Sequence, residues 1–145
     1  MATTKTKLAE LVHGIKPYRA KKREQYMNDS QQGHFNAILS AWRQELIDGT
    51  ERTVVTMQDE SINLPDPNDR ATQETDRSFE LRTRDRERKL IKKIEESIGM
   101  IGSGDYGYCD RCGVPIGIKR LEARPTANQC IDCKTLDEIR EKQLA

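Results

Sequence analysis

The sequence predicts a mostly α-helical molecule: a long antiparallel coiled-coil hairpin with an acidic tip, attached to a small globular domain with a four-cysteine finger and a C-terminal helix. Three observations carry this. Two long stretches with helical apolar spacing flank a short break, Leu64-Pro65-Asp66-Pro67-Asn68-Asp69. Charged residues make up 34% of the chain and aromatics only 5%, which suits thin helical rods better than a thick core. All four cysteines fall into two C-x2-C pairs in the C-terminal third.

The elements are taken in chain order. Residues 1–27 form a basic N-terminal segment expected to pack with the globular part; Lys7–His13 has room for one or two helical turns before Gly14, and Pro17 stops any helix from continuing beyond it. The hairpin spans 28–101, with its tip at 64–69. Asn28 is a good N-cap, and Gln31, three residues on, completes a capping box. Phe35, Ile38, Leu39, Trp42, Leu46, Val54 and Met57 then form a helical stripe interrupted by Gly49. Pro65 and Pro67 end this first helix, since neither offers an N–H and each restricts the residue before it. The second helix is expected from Asp69, as its N-cap, to about Ile98, with Asp66 as a turn residue. Its apolar positions are Ala71, Phe79, Leu81, Leu90, Ile91, Ile94 and Ile98, and the charged run between Leu81 and Leu90 leaves the middle of the coil weakly sealed. Helices of this size extend roughly 45–55 Å.

Gly99, Gly102, Gly104 and Gly107 mark a flexible joint in which no helix is expected to persist. The finger occupies 102–134, where Val114, Ile116 and Ile118 give a weak strand signal. Thr135-Leu-Asp-Glu138 is a capping box for a terminal helix over 135–145.

The net charge is +1, so bulk charge names no partner. Its distribution is uneven: residues 1–24 carry +5, residues 48–80 carry −6, and residues 81–100 carry +3. Local fields of this kind orient docking even when the whole chain is near neutral. No apolar run approaches the ~20 residues of a membrane span, and Met-Ala-Thr-Thr-Lys5 lacks the apolar core of a signal peptide. The chain reads as soluble and cytoplasmic. A reducing compartment favours metal binding over disulfides for its cysteines.

Cys109-x2-Cys112-x17-Cys130-x2-Cys133 uses every cysteine of the chain. Each pair turns two sulfurs toward one point, and two pairs satisfy tetrahedral Zn²⁺, which prefers thiolates. The competing readings are a redox pair, for which the expected βαβ context is missing, and unliganded thiols. Four protein ligands leave no open coordination position, so the reading is of one structural zinc in a four-cysteine zinc finger. Asp66 and Asp69 are either a functional acidic tip or simply turn and cap residues. The basic run Arg84–Lys93 is either a binding surface or a solvated face. His13 and His34 have no second ligand near them in sequence, and neither reads as a metal ligand.

Taken together, Asp66-Pro-Asn-Asp69-Arg-Ala71 at the tip, Arg84-Asp-Arg-Glu-Arg-Lys-Leu-Ile-Lys-Lys93, Gly107-Tyr-Cys109-x2-Cys112-Gly, Arg120-Leu-Glu-Ala-Arg124-Pro-Thr and Cys130-Ile-Asp-Cys133-Lys134 closely resemble the DksA/TraR zinc-finger family of RNA polymerase-binding transcription factors. The resemblance runs from about Pro17 to the end. The shorter TraR-type relatives lack most of the first coil helix, which this chain has.

The resemblance implies a bacterial regulator, not an enzyme, that binds RNA polymerase and not promoter DNA, and that is monomeric. It implies a coil that enters the secondary channel of polymerase with Asp66, Asp69 and Ala71 at the functional tip. It also implies joint action with guanosine tetraphosphate (ppGpp), with Leu90, Lys93, Arg124 and Lys134 at the ppGpp-binding positions. The implied outcome is destabilised open promoter complexes in the stringent response, repressing ribosomal RNA promoters and aiding some biosynthetic ones. Two other classes are weighed against it. A Gre-like transcript-cleavage factor also presents tip acids, but it lacks this finger. Against a zinc-ribbon nucleic-acid binder, the finger lacks interleaved aromatics and the chain's basic charge is not concentrated on it.

Overall fold

The computed structural model describes residues 11–59 and 66–144. Among these residues are four helices: α1 (Asp29–Asp59), α2 (Pro67–Ser103), α3 (Ile118–Ala123) and α4 (Ile131–Leu144). At 1.5 Å per residue, the 31 residues of α1 and the 37 of α2 give rods of about 46 and 55 Å.

The side-chain contacts show that α1 and α2 pair antiparallel. Arg43 meets Glu95 at 3.0 Å, and Thr50 meets Glu87 at 3.2 Å. Moving seven residues outward along α1 thus moves the partner eight residues back along α2. The apolar seal lies at the base of this pair, where Phe35, Ile38, Leu39 and Ile94 are fully buried. Trp42, Leu46, Leu90 and Ile98 pack at the edge of the same cluster. Farther out the seal fades: Val55, Phe79 and Leu81 are at least half exposed. The weakly sealed stretch therefore reaches beyond the charged run, because Phe79 and Leu81 do not join the seam.

Asn28 caps α1 as expected, its Oδ1 accepting from the Gln31 N–H at 2.9 Å. Gln31 does not close the box on Asn28. Its Oε1 accepts from the Met27 N–H at 2.8 Å, and its Nε2 donates to the Gln25 carbonyl. Both ends of a side chain with only 1% exposure are thereby satisfied.

Four further expectations, on the ends of α2 and α4 and on the finger, are corrected. Asp66, not Asp69, caps α2: its carboxylate accepts from the Asn68 N–H at 3.0 Å and its carbonyl accepts from Arg70. Pro67 then occupies the first helical position, where its missing N–H costs nothing. The break at Leu64 and Pro65 lies outside the described residues. At the other end, α2 continues through Gly99 and Gly102 to Ser103, and left-handed Gly104 (φ 85°) terminates it. Two helical glycines cost about 1 kcal/mol each relative to alanine, which the packing of Ile98, Met100 and Ile101 on the core offsets.

The third correction concerns α4, which starts at Ile131 rather than Thr135. Thr135 sits within the helix, its Oγ1 donating to the Ile131 carbonyl. The fourth concerns the finger. The Val114–Ile118 strand signal yields a single bridge between Tyr108 and Pro115, and Ile118 already opens α3.

Of the helical turns expected over Lys7–His13, residues 7–10 lie outside the described residues. The remainder is a tight reverse turn in which Val12 and Ile15 exchange backbone hydrogen bonds at 2.9 and 3.0 Å. His13 and Gly14 both take positive φ, and His13 stacks on Trp42 with ring centroids 5.0 Å apart.

Three tyrosines tie the N-terminal segment and coil base to the finger. The Tyr26 hydroxyl donates to the Gly107 carbonyl and accepts from the Gly117 N–H. The Tyr18 N–H donates to Glu122, and its hydroxyl donates to Glu24. Tyr106, with 3% exposure, donates to the Pro125 carbonyl at 2.7 Å and leans on Phe35. Gly107 has to be glycine: its φ is 91°, and a Cβ would lie 2.9 Å from Met27 Cγ.

Burial raises the ionisation of Tyr106 well above the ordinary phenol range. A raised phenol contributes stability that is complete below its unfolded pKa of about 10 and is lost as pH rises toward the folded value. Tyr106→Phe is therefore expected to cost about 1–3 kcal/mol at neutral pH through the abandoned Pro125 carbonyl. Its deficit against the unaltered chain should narrow in alkali. Urea unfolding at neutral pH and at about pH 11 measures both effects. A deficit that stays constant or widens in alkali would contradict this account of the phenol.

Candidate metal centre, cationic cleft and coil tip

The finger begins where Gly104 stops α2. The Cys109 N–H donates to the Val114 carbonyl, and Gly113 donates back to the Cys109 carbonyl, so the chain from 109 to 114 curls into a knuckle. The second pair is built into a helix start. The Cys130 carbonyl accepts from the Lys134 N–H at 3.0 Å. Its sulfur accepts from the Cys133 N–H at 3.4 Å. Cys130 thus does for α4 what a serine or aspartate does at an N-cap, with sulfur as the acceptor. This explains why α4 starts earlier than its threonine suggested.

The four sulfurs lie within 4.8 Å of one another. Cys112 and Cys130 are 3.6 Å apart at sulfur, close to the ~3.8 Å edge of a tetrahedron with Zn–S bonds of about 2.3 Å. The Cys109 thiol is pulled down to about 6, first by the backbone amide of Cys112 and then by that of Cys130. Cys133 is pushed up to about 12, first by its hydrogen bond with the Cys130 thiol and then by those with Cys112 and Cys109. Four thiols this close oppose one another's ionisation, and a divalent cation removes that conflict. The donor set, its spacing and the backbone N–H groups aimed at sulfur all fit zinc, held by Cys109, Cys112, Cys130 and Cys133.

The same turn into α4 forms one wall of a cleft of about 230 Å³. Lys93 lines it from α2, Arg120 and Arg124 from α3 and its C-cap, and Lys134 from α4. Glu96 lines it too, as do Asn128 and Gln129. Among the described residues, the side chains of Lys93, Arg124 and Lys134 enter no hydrogen bond or ion pair. Arg120 Nε donates to the Gln129 carbonyl at 3.1 Å. Three of the four positions assigned by resemblance thus meet in one place. Leu90 is not in the lining and packs half-buried against the core instead. Arg120 and Glu96 were missed in the sequence. The signal for Arg120 was present, since it precedes Arg124 by four residues in a helical stretch.

At the far end of the coil, Asp66, Asp69 and Ala71 are all exposed. Asp66 is occupied with capping. Asp69, in the first turn of α2, makes no side-chain hydrogen bond or ion pair among the described residues. Its charge is favoured by the helix N-terminus and is otherwise available.

A freshly purified chain is expected to carry one zinc. Stripping it, or replacing any one of the four cysteines by serine, should unfold the 6-residue α3 and the 14-residue α4 and leave the distal part of α1 and α2 helical. Elemental analysis with far-UV circular dichroism measures this. Much less than one zinc per chain, or collapse of the whole helical signal, would contradict it.

Comparison with known proteins gives a consistent result. The family described as DnaK suppressor protein DksA, N-terminal domain, matches residues 31–101. The prokaryotic dksA/traR C4-type zinc finger matches residues 104–138. The chain is 61% identical over 134 residues to the RNA polymerase-binding transcription factor DksA of Escherichia coli strain K12, covering 92% of this chain and 89% of that one. It is 61% identical over 132 residues to the protein of the same name from Haemophilus influenzae, covering 91% of each. The solved structure of transcription factor DksA2 from Pseudomonas aeruginosa superposes with a TM-score of 0.77 at 38% identity, covering 83% of this chain and 94% of that one. With a helical hairpin, a four-sulfur cluster and matches across both parts, the chain belongs to the DksA family of C4-type zinc-finger proteins.

Proposed function

We propose that this chain is a bacterial, cytoplasmic regulator of transcription initiation that binds RNA polymerase directly. It inserts its coil into the secondary channel and acts with guanosine tetraphosphate. The observation that carries the proposal is the cleft: Lys93, Arg124 and Lys134, distant in sequence, converge at the coil base with their charges unneutralised among the described residues. Unpaired ammonium and guanidinium groups in one concave site suit a ligand with several phosphates. The partner is supported by the relatives, which are named for binding RNA polymerase.

In this reading the parts divide the work. Zinc fixes α4 and hence Lys134 beside α2. The cleft holds the phosphates against polymerase. The coil, about 46–55 Å long, carries Asp66, Asp69 and Ala71 toward the polymerase active centre. The chain acts as a monomer on open promoter complexes without reading promoter sequence. It shortens the lifetime of those complexes, represses ribosomal RNA promoters and aids some biosynthetic promoters in the stringent response.

Two experiments test this. Because Asp69 has no capping duty, Asp69→Asn should cost no more than the ~0.3–1 kcal/mol of its interaction with the helix N-terminus and leave polymerase binding unchanged, while losing most of the effect on open-complex lifetime. Asp66→Ala should in addition lose about 1 kcal/mol of stability with its cap. Unaltered lifetimes with Asp69→Asn would reject the role of the tip.

In the cleft, Lys93→Ala, Arg124→Ala and Lys134→Ala should each weaken the response to guanosine tetraphosphate by roughly tenfold or more, as loss of a charge-assisted hydrogen bond does. Effector-free polymerase binding should change less. Equal losses with and without effector would remove the effector from this cleft.

A further inference from the structure

The cleft contains one acid among its lining residues, Glu96, and that acid neutralises none of the surrounding cations. Glu96 and Lys93 lie three residues apart on α2 and so share a face. Both are exposed. Among the described residues, Glu96 enters no ion pair or hydrogen bond. Glu95, its neighbour on α2, pairs with Arg43 at 3.0 Å across the hairpin, and Asp137, which holds the cleft-lining Gln129, pairs with Arg111 at 2.7 Å in the finger. A carboxylate among cations ordinarily closes onto one of them. Here the positive charge stays available to a ligand, while a negative charge on the same wall opposes that ligand.

From this we infer that Glu96 sets the sensitivity of the cleft: its carboxylate raises the concentration of phosphate ligand needed to fill it. The inference rests on the reading of the cleft as the effector site and adds a residue whose contribution has the opposite sign. Three or four cations alone would hold a multiply charged phosphate ligand tightly and stay filled at low concentration. One opposing charge loosens the site without removing any donor, so occupancy tracks rises in ligand. The effect is electrostatic, so it depends on the charge at position 96 rather than on its shape, and salt screens it because the site is open to water.

The test uses the full chain bound to core RNA polymerase. Guanosine tetraphosphate is titrated, and the half-saturating concentration is read from open-complex lifetime. Glu96→Gln keeps the size of the side chain and removes the charge; it should lower that concentration roughly two- to fivefold, the range of an exposed charge interaction. Glu96→Lys should lower it further, and Glu96→Asp should stay near the unaltered chain. The spread among the four should shrink when salt is raised. If Gln, Lys and Asp all match the unaltered chain while Lys93→Ala weakens the response, the role of Glu96 is overturned and the cleft reading stands. If Lys93→Ala also has no effect, the cleft reading fails and the role of Glu96 fails with it. If Glu96→Gln tightens polymerase binding by the same factor without effector, the residue acts on docking and the inference is wrong.

Discussion

The whole arrangement depends on one packed junction. Phe35, Ile38 and Leu39 of α1, Ile94 of α2, and Tyr106, Ile116 and Leu121 of the finger form a single buried cluster. Full burial of such side chains is worth roughly 1.5–3 kcal/mol each, and few other large apolar groups among the described residues are buried. The finger therefore does not hang from the end of the coil. It completes the core on which the coil base is built. Gly107 shows how close the fit is, since it lets the backbone pass where Met27 leaves no room for a Cβ. Without this junction α2 and α4 would not face each other, and Lys93 and Lys134 would not share a cleft.

The zinc centre and the junction reinforce each other through short covalent links. Cys130 is both a metal-site sulfur and the capping residue of α4, and Lys134 is hydrogen-bonded to its carbonyl at the backbone. Asp137, one turn farther along α4, reaches back to Arg111 in the first knuckle and to Gln129 in the cleft wall. Metal geometry thus fixes the start of a helix, and the start of that helix fixes a wall of the cleft. A segment with an apolar core of its own would not need this arrangement. The buried side chains of the finger, such as Tyr106, Ile116 and Leu121, belong to the core at the coil base, and α4 has none of its own, so metal ligation takes over part of the ordering that burial does not give α4.

Much of this was legible in the sequence, because short-range rules were obeyed locally. The Asn28 cap, the two helical stretches and the paired cysteines each announce themselves within a few residues. The errors arose where two local signals competed. Asp66 and Asp69 both suit an N-cap, and Pro67 decides between them, since a proline at the first helical position requires the cap just before it. Thr135 looked like a cap because a cysteine is not ordinarily counted as one. Gly99 and Gly102 looked like a helix end, but the neighbouring Ile98, Met100 and Ile101 bind the last turns of α2 to the core. The cleft was less legible for a different reason. It is assembled from α2, α3 and α4, and no local pattern states that Glu96 shares a cleft with Arg124.

The distal coil obeys a different physical logic from its base. Beyond Leu46 and Leu90 the seam loses its buried apolar pairs, and contacts such as Thr50 with Glu87 take their place. Phe79, Leu81 and Val55 face outward. A hairpin held this way gains little from burial, so its persistence rests on continuous backbone hydrogen bonding, on the cap at Asp66 and on the firm base. Exposed apolar side chains along a rod leave surface free for contact with a surrounding wall, whereas a fully sealed coil would have used that surface internally. Stability concentrated at one end and unpaired surface along the other therefore arise together. In a chain of 145 residues with 34% charged side chains, apolar material is too scarce to seal both the junction and the full length of the coil.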